Sequence, residues 1–161
     1  MSEPGAYRSQ INTPLGPLII TGSSHAIESV GWHFDGAPAT GTTTHSCPVI
    51  DDCARQLQAY FEGRLTVFDV PVAPAGTAYQ QRVWQRLMEI SFGQTLSYGQ
   101  LAQRLQPPTG PRAIGSAVGR NPISLILPCH RIVGSRGDLT GFAGGLHRKE
   151  WLLTHEGSIL C

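Results

Sequence analysis

Cys129 stands in the run Pro128-Cys129-His130-Arg131-Ile132-Val133, preceded by a nearly unbroken apolar stretch, Ile123 to Leu127, and followed by a glycine-rich one, Gly134 to Gly145. The pattern reads as a buried, strand-like segment that delivers a thiol to the mouth of a loop, with an imidazole beside it. Such a placement suits nucleophilic chemistry, in which a thiolate attacks and a neighbouring base takes its proton. A second reading stands beside it: an isolated cysteine is often a small buried hydrophobe, and single-cysteine signatures do not carry from one fold to another. The other thiols offer less. Cys47 and Cys53, with His45 nearby, are too far apart for the usual zinc knuckle and have no second ligand pair, so the expectation is no metal and no cofactor.

The elements that must position Cys129 are bounded by composition. A chain of 161 residues and 17.3 kDa with 40% apolar residues suits one compact domain, or one preceded by a small lobe. No stretch approaches the roughly 18 uncharged apolar residues of a membrane span, and the first residues lack the apolar core of a signal peptide, so a cytoplasmic protein with free thiols and no membrane partner is expected. The formal charge of +1 conceals a division. Residues 1–78 hold three Lys/Arg against seven Asp/Glu, a balance of −4; residues 79–161 hold nine against four, or +5. Eight of those nine cations are arginines, which favours planar or phosphate recognition, although a solvated surface with scattered charges would look similar.

Along the chain, Tyr7–Asn12, Leu18–Thr21 and Ile27–Phe34 read as short strands of a small antiparallel sheet. Residues 37–48 read as an exposed Gly/Ala/Thr/Pro loop. Ile50, Cys53, Ala54, Leu57, Tyr60 and Phe61 recur at helical spacing and Gly63 ends the run. Residues 69–76, with two prolines, read as a linker, which places a domain boundary near residue 76 and gives domains 1–76 and 77–161. Beyond it, Thr77 caps a helix expected to reach Phe92-Gly93, and Ser97 caps a second, Tyr98–Leu105. Thr109 or Gly110 caps a third that carries Pro111 in its first turn and runs to Asn121-Pro122. The second and third, joined by a Pro/Gly turn, have the outline of a helix-turn-helix. Small residues along the third helix, with Arg112 and Arg120, would let its backbone approach a partner closely; tight packing inside a core explains them as well. A last helix is expected over Leu146–Thr154.

Several of these motifs together resemble the O6-alkylguanine-DNA alkyltransferase family. They are Asn121-Pro122, Leu127-Pro128-Cys129-His130-Arg131-Ile132-Val133-Gly134, Gly141-Phe142-Ala143-Gly144-Gly145-Leu146, Lys149-Glu150-Trp151-Leu152-Leu153 and His155-Glu156-Gly157, with Tyr79 to Trp84 and Gly93 to Gly99 upstream. The likeness is dense over residues 77–157 and thin before them. It implies an α+β fold, with a small N-terminal α/β lobe holding an antiparallel sheet and a helical C-terminal domain bearing a winged-helix-like helix-turn-helix. It also implies repair by irreversible, single-turnover transfer of an alkyl group from O6-alkylguanine, or O4-alkylthymine, in double-stranded DNA to Cys129 of a monomer.

The resemblance assigns roles as well. Glu156 orients His130, which draws the Cys129 proton through a water, and Asn121 braces the turn. Tyr98 donates to the extruded guanine. The carbonyls of Cys129 and Ile132 receive the guanine amino group, and Phe142 and the Ala143 amide line the pocket, where many relatives carry Tyr and Ser. Arg112 fills the vacancy left by the base, while Ala113, Gly115, Ser116, Arg120 and Arg131 face DNA. Pro111 and Ser124 depart from the family pattern. The rivals are a lesion sensor without an acceptor cysteine, a regulatory helix-turn-helix protein and a cysteine hydrolase. Cys129 argues against the first, and the Cys129, His130 and Glu156 set would be idle in the second.

Overall fold

A computed structural model describes residues 7–32, 47–142 and 144–158. The chain divides into two compact units, Met1–Ala75 and Gly76–Cys161. In the first, strands β1 (Tyr7–Thr13), β2 (Gly16–Gly22) and β3 (Ile27–Trp32) form an antiparallel sheet in that order, with Ile11 opposite Leu18 and Ile20 opposite Val30. Leu18, Ile20 and Gly22 are buried while the residues between them are not, the alternation of a sheet with one covered face. That face is covered by helix α1 (Pro48–Phe61), whose Ile50, Cys53, Leu57 and Tyr60 form one buried stripe. Residues 69–76 are not a free linker. Ile27 donates its N–H to Pro71 O (2.8 Å) and accepts from Ala73 N (2.8 Å), so the segment forms a parallel bridge at Val72 along the open side of β3. Residues 33–34, expected to prolong β3, and most of the 37–48 loop lie outside the described residues; Pro48 begins α1.

The second unit is built from helices. Two of them start at full capping boxes: Thr77 Oγ1 accepts from Gln80 N and Gln80 Oε1 from Thr77 N at the head of α2 (Ala78–Leu87), and Ser97 with Gln100 does the same for α3 (Tyr98–Gln103). Helix α2 stops at Leu87, earlier than Phe92-Gly93, because Ile90 turns inward to pack and its N–H bonds Leu87 O in a tight turn. Helix α4 (Pro111–Gly119) follows, packed on both α2 and α3 through Ile114, Ala117 and Val118, and completes the helix-turn-helix. The apolar run Ile123–Leu127 is a turn rather than a strand: Leu127 N bonds Ile123 O (3.0 Å), Ile126 N bonds Ser124 O (2.9 Å), and Leu125 takes a left-handed φ of 75°. A short 3₁₀ helix, Cys129–Arg131, leads into β5 (Ile132–Val133), which pairs in parallel with β4 (Leu96–Ser97). Helix α5 (Leu146–His155) closes the unit.

Candidate active site and nucleic-acid interface

The turn before Cys129 is held by one side chain. Asn121 Nδ2 donates to Leu127 O (2.7 Å) and Asn121 Oδ1 accepts from Ile123 N (2.9 Å), so a single amide spans both ends of the loop that needs Leu125 in a strained conformation. The loop delivers Cys129 to the first position of the 3₁₀ helix, 7% exposed. Burial pushes the thiol above its ordinary value, because a thiolate loses solvation there; the Asn121 side chain, the Lys149 ammonium and the backbone N–H groups of Cys129 and His130 pull the other way without overcoming it. The sulfur is thus a thiol at rest, surrounded by groups that favour its anion.

Behind it lies a buried polar chain. His130 and Glu156 are 2.7 Å apart through Nε2 and Oε2, and neither side chain is exposed. Arg131 clasps the same carboxylate, with Nε on Oε1 (2.8 Å) and Nη2 on Oε2 (3.0 Å), and its Nη1 donates to Ile90 O (2.6 Å). A carboxylate so served accepts from both neighbours, which fixes the imidazole proton on Nε2 and leaves Nδ1 with its lone pair. That Nδ1 is buried and has no partner. Burial also pushes the His130 pKa down, with Arg131 and Lys149 adding to it against the pull of Glu156, so the ring is a neutral base. The expectation that Arg131 faces DNA is corrected here: it is 6% exposed, and its guanidinium is committed to Glu156 and the Ile90 carbonyl.

Sequence reasoning also passed over Lys149. It is fully buried, donates to Thr140 O (2.7 Å), and faces Cys129 electrostatically; burial lowers its pKa to about 8, with Cys129 opposing. A signal was present. Lys149, Leu152, Leu153 and Glu156 fall at the i, i+3, i+4, i+7 spacing of one helix face, so α5 and its C-cap carry two charged groups on their buried stripe. Lys149 is moreover the only lysine in a chain with eleven arginines.

Parallel pairing of Leu96 with Ile132 sets the start of α3 beside the strand leaving Cys129. Tyr98, half-buried, donates its hydroxyl to Thr140 O (3.4 Å), the carbonyl that Lys149 also uses. Ile132 is buried in β5. The Phe142 ring lies over Gly144, where a Cβ would come within 2.5 Å of it, so that glycine makes room for the aromatic. Ala143 lies outside the described residues. On α4, Arg112, Ala113, Ser116 and Arg120 are exposed along one side and Gly115 is partly so. A Cβ at Gly115 or Gly119 would meet nothing within 4 Å, so core packing does not demand glycine at either position.

Two family models match the chain: "6-O-methylguanine DNA methyltransferase, ribonuclease-like domain" over residues 6–74 and "6-O-methylguanine DNA methyltransferase, DNA binding domain" over residues 78–158. The chain is 40% identical to the methylated-DNA--protein-cysteine methyltransferase of Methanosarcina acetivorans, covering 94% of this chain and 99% of that one. Identity is also 40% to the protein of that name from Shigella flexneri, over 94% of this chain and 95% of the relative. Among solved structures, Mycobacterium tuberculosis OGT in complex with DNA superposes with a TM-score of 0.85 at 40% identity, covering 94% of this chain and 93% of that one. With both units matched and their order preserved, the chain belongs to the 6-O-methylguanine DNA methyltransferase family.

Proposed function

We propose that this protein repairs DNA by moving an alkyl group from O6 of guanine to the sulfur of Cys129, irreversibly, so that each molecule acts once; O4-alkylthymine falls within the same chemistry. The observation that carries this reading is the buried set of Cys129, His130, Glu156 and Lys149, with the half-buried Asn121 holding the turn before it, in the same unit as an exposed helix of small residues. Sulfur attacks the alkyl carbon, an S–C bond forms, the C–O6 bond breaks, and its electron pair passes into the guanine ring. The thiol proton leaves toward His130 Nδ1 by way of a water, Tyr98 gives one to the departing base, and the proton held by His130 then passes through solvent to restore the Tyr98 hydroxyl. Net, the thiol proton ends on guanine.

An ordinary thiol, with a pKa of about 8.5, is only about 3% ionised at pH 7, and Cys129, held above that, is ionised less, so full ionisation is worth at least about thirtyfold, or roughly 2 kcal/mol. The larger share must come from alignment in a pocket closed to water, worth on the order of 7 kcal/mol or more when reacting atoms are held in line. Asn121 contributes by fixing the loop, and Glu156 with Arg131 by fixing the imidazole. The carbonyls of Cys129 and Ile132 receive the guanine amino group, with Phe142 beside the base.

A base inside a duplex is out of reach, so the nucleotide must be turned out at a cost of a few kcal/mol. Helix α4 suits this task. Its exposed side carries Arg112, Ala113, Gly115, Ser116 and Arg120, a low profile that lets the backbone approach a groove, with Arg112 occupying the vacated space. Every group of the reaction comes from one chain, so a monomer suffices, and the division of labour follows the units: residues 77–161 bind DNA and accept the alkyl group. Incubation with a duplex holding one O6-methylguanine should leave one methyl per chain, on the Cys129 peptide by mass spectrometry. Turnover of the lesion without modified Cys129 would refute the proposal.

A further inference from the structure

Helix α4 does not fix its own beginning. Helices α2 and α3 each start at a reciprocal capping box, whereas α4 starts at Gly110, which has no side chain to cap with, followed by Pro111, which has no N–H. The short turn from Gln106 to Gly110 is therefore placed by bonds from outside. Two come from one end of α2: Tyr79 Oη and Thr109 Oγ1 are 2.8 Å apart, and Arg82 Nη1 donates to Gln106 O (2.8 Å) while its guanidinium lies 5.5 Å from the Tyr79 ring centroid. Farther along, the buried Trp84 Nε1 donates to Ala117 O (2.9 Å) inside α4 itself. Thr109 N makes only a long bond, 3.4 Å, to Ala102 O of α3. Thus one helix, through three side chains spaced along it, reaches the turn before α4 and the middle of α4.

We infer that Tyr79, Arg82 and Thr109 are positioning residues for base extrusion: α2 acts as a strut that sets where α4 begins, and with it Arg112, three residues beyond Thr109. This inference rests on the proposed repair reaction. None of the three side chains needs to touch the reacting atoms. The clamp matters because a displacement of about 1 Å at a positioning element can cost orders of magnitude in rate. The buried set around Cys129 makes no hydrogen bond to Tyr79, Arg82 or Thr109, so a loosened clamp should leave chemistry on a ready-extruded base intact.

The test compares two substrates: O6-methylguanine within a duplex, and the free base O6-benzylguanine, which requires no extrusion. Tyr79→Phe and Thr109→Val should each slow transfer from the duplex by about fivefold, the scale of one hydrogen bond, and should leave the free-base rate within about twofold of the parent. The double variant should be no slower than either single one, because both remove the same bond. Thr109→Ser, which keeps the hydroxyl, should restore the duplex rate. Equal losses on both substrates, or a duplex rate indifferent to both variants, would overturn the inference while leaving the repair reaction standing. A parent protein that alkylates Cys129 from neither substrate would instead remove the reaction itself, and the inference with it.

Discussion

At the scale of single residues, the site is a contest between burial and a few compensating charges. Lys149 is the clearest case, a cation kept in the interior by one carbonyl and by the sulfur it faces. Lys149→Met removes a group that lowers the Cys129 pKa, so the thiol should ionise at higher pH than in the parent protein. The rate of Cys129 modification by iodoacetamide, followed against pH, should show its midpoint displaced upward and its value at pH 7 reduced. Cys129→Ser removes the acceptor and should abolish transfer while DNA affinity, read by fluorescence anisotropy, stays within about twofold. Arg131→Met takes the guanidinium away from the buried Glu156 carboxylate, and breaking such a pair costs about 3–5 kcal/mol. Thermal unfolding should therefore fall steeply for Arg131→Met. An arginine that served only as a surface DNA contact would leave it unchanged.

At the scale of elements, the sequence spoke most clearly where the determinants are local. Thr77 and Ser97 were readable as caps because a hydroxyl followed three residues later by glutamine is a complete local motif, and both boxes form. The run from Ile123 to Leu127 misled because a continuous apolar stretch has no period to separate a strand from a buried turn. What decides it is Asn121, whose amide closes the loop from outside the run. Arg131 was illegible for a related reason: its partner Glu156 lies 25 residues away, and only the fold brings them together. The small residues of α4 permitted two explanations, and they divide: Ala117 is packed in the core, whereas Gly115 faces open space that packing does not fill. Gly115→Ala should stabilise the helix by up to about 1 kcal/mol through propensity alone, raising the melting temperature. If that side meets DNA as proposed, the same methyl should slow transfer from a duplex and leave the free-base reaction alone.

At the scale of the whole molecule, the charge division already visible in the sequence, −4 over residues 1–78 and +5 over residues 79–161, falls close to the division into two units. Binding to undamaged duplex should weaken as salt rises, and Arg120→Ala should reduce the slope of log affinity against log salt by about one, the signature of a single phosphate contact. Lys149→Met, at a buried cation, should leave that slope as it is.

The bond between the Trp84 indole and the Ala117 carbonyl also gives the protein an internal optical gauge. Any shift of α4 as a nucleotide is turned out would alter the polarity around a chromophore that is otherwise 1% exposed. Emission from that indole, isolated by replacing Trp32 and Trp151 with phenylalanine, would follow lesion engagement in real time without an attached dye.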